Sequence, residues 1–390
     1  MMTSSSKSCR SLVFPLALLA LGLCACGGEA TPKAADGAGG SGGSPPASAG
    51  ATTGSGATTS SGATTGSGSS ASSGTSSAST GGDPPPPAPE DGPVGFASLN
   101  GGTTGGAGGM VVTVSDAESL LEAMAGTEPR VIQISGTIEL SGMNDVGSNK
   151  TIVGLGADAK IVGGGLYLYR EKNVIIRNIT FQDANEDAIG ITTETTNVWI
   201  DHCTFMNGAD GLIDIVRESS YVTLSWNVFR NHHKTILIGH SDAASADAGF
   251  LKVTLHHNWF DRTQTRHPSV RFGQVHVFNN HYLDNLSYGV ASRMEADVVV
   301  EGNYFLNTWF PCRAGYADSE PGDIVERNNI IETTMPPPPS EDPNDPPPPA
   351  TPVCETRGTA FDPAAMYAYT ADPAEDVPAL VMNHAGAGRI

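Results

Sequence analysis

The stretch NVWIDHCTF at residues 197–205 is one of a series. NVIIRNITF (173–181) precedes it, and YVTLSWNVF (221–229), KVTLHHNWF (252–260), QVHVFNNHY (274–282) and DVVVEGNYF (297–305) follow. A weaker copy, DIVERNNII, lies at 323–331. Successive copies start 24, 24, 31, 22, 23 and 26 residues apart. Self-similarity at such a period marks a repeat architecture, in which each unit buries its apolar face only against its neighbours.

The pattern inside the copies selects the type of repeat. In the first six, aliphatic residues fill the second and fourth places, the period-two mark of a strand face. An aromatic closes each: Phe181, Phe205, Phe229, Phe260, Tyr282 and Phe305. Asn recurs at one register position as Asn227, Asn258, Asn280, Asn303 and Asn329. The units are too short to add a helix to these strands and their turns, which disfavours helical repeats. The Leu-x-x-Leu-x-Leu spacing of leucine-rich repeats is missing. The expected fold is therefore all-β, a right-handed parallel β-helix whose coils stack aliphatic, aromatic and Asn ladders.

Outward from the repeats the chain changes character. Ser115-Asp116-Ala117-Glu118 matches a capping box ahead of an apolar-periodic run, predicting a short helix at about 116–125 that caps the N-terminal end. The folded domain is expected at 94–390, beginning near Val94. Residues 27–93 are nearly all Gly, Ser, Thr, Ala and Pro; they cannot bury enough surface to fold and would span roughly 45 Å as a flexible tether. Residues 1–26 read as an export signal, with Lys7 and Arg10 ahead of the apolar run 11–23. Leu23-Cys24-Ala25-Cys26 resembles a bacterial lipobox, with Cys26 as the lipidated residue. A secreted or cell-surface protein, an outer-membrane lipoprotein, is the expectation. Outside that region stand Cys203, Cys312 and Cys354. In an exported protein Cys312–Cys354 is one candidate bridge, with Cys203 left as a buried thiol; spacing leaves the pairing open. The Pro-rich run 336–352 predicts an exposed loop, and the segment through Tyr367, Tyr369 and Val381 is a candidate to fold back along the stack.

With 41 acidic and 21 basic side chains the net charge is −20, which argues against nucleic acid as a partner. The charge is unevenly spread. Between Arg230 and Arg293, seven cations face four aspartates. In a β-helix, register-matched side chains line up about 4.8 Å apart, so distant residues converge in rows. Asp187, Asp210 and Asp214 form an acidic set of hard oxygen donors suited to Ca²⁺. Lys234, Arg266 and Arg271 form a basic set one and two coils later. His256, His257 and His267 are bases by residue type, although His256 and His257 read better as packing or hydrogen-bonding residues.

The ordered motifs VWIDHC, DGLIDI, NHHKTILIG, VTLHHNWF and TRHPSVRFGQVHVFNN resemble the polysaccharide lyase family 1 pectate lyases over residues 94–390. That resemblance implies β-elimination on polygalacturonate, giving 4,5-unsaturated ends. It implies Arg266 as Brønsted base, Lys234 and Arg271 as partners of substrate carboxylate, and Ca²⁺ held by Asp187, Asp210 and Asp214. A monomer is expected. Two positions depart from the family pattern: Ser269 stands where a basic residue is frequent, and Asn185 where some members place another acidic ligand. The competing functions are a pectin lyase acting on methyl-esterified substrate, which lacks the calcium site, and a non-catalytic pectin-binding surface protein. The acidic set weighs against the first and the intact basic set against the second.

Overall fold

The structure is a computed structural model that describes residues 92–336 and 347–390. The export signal with Cys26, nearly all of the Gly/Ser/Thr-rich tether and the centre of the Pro-rich loop lie outside the described residues. Within them the chain winds as a parallel β-helix with three sheets along its length. The ten-stranded sheet runs from Met110–Val114 to Asp323–Arg327. The nine-stranded sheet runs from Thr137–Glu139 to Ile330–Glu332. The eight-stranded sheet runs from Met143–Asp145 to Phe310–Ala314. Neighbouring strands pair in parallel and in register, as Val198 with Val174 and Val222.

Each nine-residue copy proves to be two strands meeting at a corner. In the copy at 197–205 these are Thr196–Asp201 in the ten-stranded sheet and Thr204–Met206 in the nine-stranded sheet. The corner is made by a residue with positive φ: Asn178 at 58°, His202 at 49°, Trp226 at 52°, His257 at 53°, Asn279 at 51°, Gly302 at 60° and Asn328 at 52°. Such a conformation is costly for bulky residues, so the stack must hold Trp226 and His257 there. Immediately after the corner comes the Asn ladder. Asn227 Nδ2 donates to Asn258 Oδ1 at 3.0 Å, Asn258 to Asn280 at 2.9 Å, Asn280 to Asn303 at 3.0 Å and Asn303 to Asn329 at 3.0 Å. Cys203 takes the same place one coil earlier, as a buried free thiol.

Inside, the second- and fourth-place aliphatics and the closing aromatics form one apolar column. Rings 181, 205, 229 and 260 stack with centroids 5.1 Å apart, continued by Tyr282 and Phe305 at 4.8 and 4.2 Å. Burying each such side chain contributes about 1.5–3 kcal/mol. At the N-terminal end the predicted helix forms as α1 (Ala117–Met124), and its Leu120, Ala123 and Met124 close the column. Its cap is Asp116, whose side chain accepts from Ser119 N, one residue later than the capping-box reading placed it.

The chain ends tie the outside of the stack together. Phe96 N donates to Thr254 Oγ1 and Ala97 N to Thr223 Oγ1, docking the domain's first residues on the ten-stranded sheet. A Cys312–Cys354 disulfide fixes the return of the chain after the Pro-rich loop. From there the C-terminal segment runs back over earlier coils. Tyr369 Oη meets Glu301, Asp372 meets His257, and α2 (Val377–His384) covers Trp226 and Val228. Gly388 N finally reaches Asn178 Oδ1 at 2.6 Å.

Candidate active site

The residues that carry chemistry stand on the outer face of the eight-stranded sheet. In its strand Gly211–Val216, Ile213 and Ile215 point into the column and Asp214 points out. Asp187 ends the loop before strand Ile189–Thr192, one coil earlier, and its Oδ1 accepts from Gly211 N at 2.8 Å. Gly211 is what lets the two carboxylates meet. A β-carbon there would lie 2.6 Å from Asp214 Oδ1 and 2.8 Å from Asp187 Oδ1. Burial pushes the Asp214 carboxyl up to about 7, reinforced by the Asp187 charge. Burial raises Asp187 as well, against the opposing Gly211 hydrogen bond. Asp214 Oδ1 is buried with no hydrogen-bond partner.

Asp210 is drawn elsewhere. Its carboxylate accepts from Lys234 Nζ at 2.7 Å, and that hydrogen bond holds its pKa below the ordinary value. His232, kept neutral by burial, donates from Nε2 to the Asp210 carbonyl at 2.8 Å and fixes this loop. The sequence-derived acidic set is thus two interacting carboxylates that flank Gly211 and a third beside them on a lysine. Among the described residues no three His, Cys, Asp or Glu side chains converge as a ready metal cage. The donor chemistry nevertheless fits a hard dication. Two half-buried carboxylates repel each other and one buried oxygen lacks any partner, a combination that a cation would relieve. Asn185, at the departed position, turns its Oδ1 to Gly142 N in an earlier coil.

The cations occupy the next coils. Lys234 opens strand Lys234–Ile238 and pairs in register with Gly211 on one side and Thr265 on the other. Arg266 follows Thr265 with φ 66°, a left-handed conformation held by the Ile236 N bond to its carbonyl at 2.7 Å. Its charge acts on both Asp187 and Asp214. No hydrogen bond or ion pair engages its guanidinium among the described residues, whereas Lys234 and Arg271 are both paired. Two small clefts, of about 400 and 190 Å³, meet at Lys234, the second lined by Arg266.

Arg271 ends strand Ser269–Arg271, with its Nε on Asp242 and its Nη1 on the Gly239 carbonyl. Arg293 lies directly beside it in register, 3.7 Å from the same Asp242 carboxylate, and donates to Ser269 Oγ at 3.3 Å. Neither Asp242 nor Arg293 belongs to the acidic or basic set expected from the sequence. The signal was present: 22 residues separate Arg271 from Arg293, one coil. Ser269 is buried against Arg293, so a basic residue there would face a second cation. Arg262 is exposed and bonded to Asp261, at the rim of the larger cleft.

The histidines are removed as bases. His267 is fully buried, donates from Nδ1 to the Tyr288 carbonyl at 2.6 Å, and is pushed down to about 3 by desolvation. His257 stacks on Trp226 at 4.2 Å and bonds Asp372, while His256 packs on Phe278.

A solenoid that sets carboxylates, two paired cations and one unpartnered arginine on one sheet face belongs with β-helical enzymes that act on acidic polysaccharides. The pectate lyase family profile matches residues 88–390. This chain belongs to that family, and is a lyase acting on polysaccharide. It is 41% identical over 330 residues to the pectate trisaccharide-lyase of Thermotoga maritima, covering 77% of this chain and 89% of that protein. It is 34% identical to the Bacillus licheniformis pectate trisaccharide-lyase over 316 residues, 76% and 86% of the two chains. Among solved structures, a pectate lyase from Bacillus sp. N165 in complex with trigalacturonate superposes with TM-score 0.65 at 31% identity, covering 76% of this chain and 99% of that one.

Proposed function

We propose that the protein is an exported, Ca²⁺-dependent pectate lyase that cleaves polygalacturonate by β-elimination, with Arg266 as the base. The observation that carries this is the unpaired Arg266 guanidinium, set between the Asp187–Asp214 pair on one side and the Arg271–Arg293 pair on the other. Asp187 and Asp214, with Asp210 beside them, are the residues that would hold Ca²⁺; when bound, the ion neutralises a substrate carboxylate and so acidifies the neighbouring C5–H.

The chain's own groups supply the rest. Lys234 and Arg271 bind galacturonate carboxylates and stabilise charge as it develops at C5 and the carboxylate. Neutral Arg266 takes the C5 proton. The electron pair forms the C4–C5 double bond, and the C4–O bond breaks with its pair leaving on oxygen, which acquires a proton from solvent. An arginine base is demanding, since a guanidinium ordinarily holds its proton across the common pH range. The reading therefore expects a working range at alkaline pH. A single chain provides every group named. The lipobox-like Cys26 and the tether support an outer-membrane lipoprotein with its catalytic domain held off the surface.

The test is incubation with polygalacturonate, following ultraviolet absorbance of unsaturated product with and without EDTA. Product that is lost in EDTA and restored by Ca²⁺ is expected. Absence of unsaturated product refutes the lyase assignment, and product unaffected by EDTA refutes the metal dependence.

A further inference from the structure

The outer face of the eight-stranded sheet does not end at the acidic pair. Two coils toward the N-terminus, strand Gly165–Tyr169 alternates in the same sense. Leu166 and Leu168 are fully buried in the column, and Tyr167 and Tyr169 stand outward, Tyr169 47% exposed. Their rings stack with centroids 6.3 Å apart and planes 15° from parallel. Tyr167 is in register with Gly190, and Gly190 with Asp214, so platform and carboxylate share one row about 10 Å apart. Gly190 keeps that row open. A β-carbon there would touch the Tyr167 ring at 3.0 Å and Met143 at 3.4 Å.

The rings floor a cleft of about 710 Å³ walled by Leu121 of α1, Met143, Asp145 and Glu171. A cleft of this size accommodates a segment of oligosaccharide. Its electrostatics are opposite to those around Arg266. The charged side chains lining it are Asp145 and Glu171, both acidic. Arg170, near the Tyr169 ring, is already paired with Glu194. Lys150, beside Glu171, is fully buried with its Nζ on three backbone carbonyls, and Arg130 is bonded to the carbonyls of Glu122 and Ala123, so a free galacturonate carboxylate placed here would meet acidic side chains and no unengaged cation. A sugar ring whose carboxyl is esterified keeps its C–H faces for stacking on the tyrosines and carries no charge to be repelled.

We propose that Tyr167 and Tyr169 form a distal subsite for a methyl-esterified galacturonosyl residue, so that the enzyme grips partly esterified pectin while cleaving at an unesterified stretch. The proposal rests on the pectate lyase reading. It assigns specificity to residues remote from the reacting atoms. Because the tyrosines lie outside the column, their replacement leaves the buried face of the strand intact.

The experiment compares wild type, Tyr167→Ala/Tyr169→Ala, Tyr167→Phe/Tyr169→Phe and Asp145→Lys on polygalacturonate and on half-esterified pectin. Calorimetric titration with fully methyl-esterified oligogalacturonide runs in parallel. The double alanine variant is expected to lose about tenfold in kcat/KM on pectin, mainly through KM, the scale of one or two aromatic contacts. Its turnover of polygalacturonate stays as in wild type, and the phenylalanine variant keeps both. Asp145→Lys moves preference toward unesterified substrate. Equal losses on both substrates, or wild-type protein that does not bind the esterified oligosaccharide, overturn the subsite. If no variant or wild type yields unsaturated product, the lyase reading fails instead, and tyrosine-dependent oligosaccharide binding still separates the two outcomes.

Discussion

Gly211 offers a way to disturb the acidic pair without touching either acid. It lies in an ordinary extended strand, so Gly211→Ala meets no left-handed backbone penalty. The new methyl group would start 2.6 Å from Asp214 Oδ1 and 2.8 Å from Asp187 Oδ1. Each carboxylate must then retreat by at least ~0.5 Å to reach ordinary contact, which is the tolerance within which a functional constellation has to be held. Indirect disturbance of metal ligands of this kind typically costs 10–100-fold in affinity, about 1.4–2.7 kcal/mol. The variant is therefore expected to bind Ca²⁺ one to two decades more weakly by isothermal titration of EDTA-treated protein. Its rate on polygalacturonate should recover at high Ca²⁺, with an unfolding temperature close to wild type. An unchanged Ca²⁺ dissociation constant would refute the role of Gly211. Wild-type protein that binds no Ca²⁺ would refute the donor assignment itself.

Three further outcomes follow from named contacts. Arg266→Lys should lower kcat at least ~10²-fold with little change in fold by circular dichroism, the usual scale for a lost general base, and retained turnover would contradict that role. Asn258→Ala removes an amide that accepts from Asn227 N and Nδ2 and donates to the Leu224 carbonyl and to Asn280. With about 1–3 kcal/mol for each group left unsatisfied, denaturant unfolding should show a loss of ~3–6 kcal/mol, and a loss below ~1 kcal/mol would mean that water or relaxation satisfies the gap. Acid stability should fall early. His267 is held down to about 3 and His281 to about 4, against an unfolded value near 6.5, so the unfolded state binds more protons between those values. The histidine contribution is complete above about pH 6.5 and is lost as pH falls toward 4 and 3, by up to ~4 kcal/mol for His267 alone, while protonation of the raised Asp214 carboxyl offsets part of it; a urea midpoint at pH 4.5 no lower than at pH 7 would contradict this.

Much of this was readable before any coordinates, and the reason is periodicity. Val198 and Ile200, Phe205 and the Asn positions repeat because stacked coils demand the same side chain at the same register, so period and column can be read from one chain. What the repeats concealed is the corner. A nine-residue segment that looks like one strand is two, since positive φ at Trp226 or His257 leaves no mark in residue types that rarely adopt it. The acidic and basic residues were identified individually, but their pairing was not. Asp210 turns to Lys234 because its side chain lies outside the sheet, where contact depends on loop path rather than strand register.

The longest interval between copies, 31 residues, shows what such a departure accomplishes. Strands must stay in register, so extra residues can only leave the stack as a loop. Here the loop follows Gly239 and returns at Leu251. Asp247 anchors it, buried and accepting from Glu218 N at 2.7 Å. The anchored loop delivers Asp242 to Arg271 and Arg293, so two like charges on adjacent strands share one carboxylate. Without it, guanidinium groups on neighbouring strands about 4.8 Å apart would repel and splay. With it, Arg271 is fixed by its Nε and Nη1. Regular coils thus set where a charge can stand, and the irregular loop sets which way it faces.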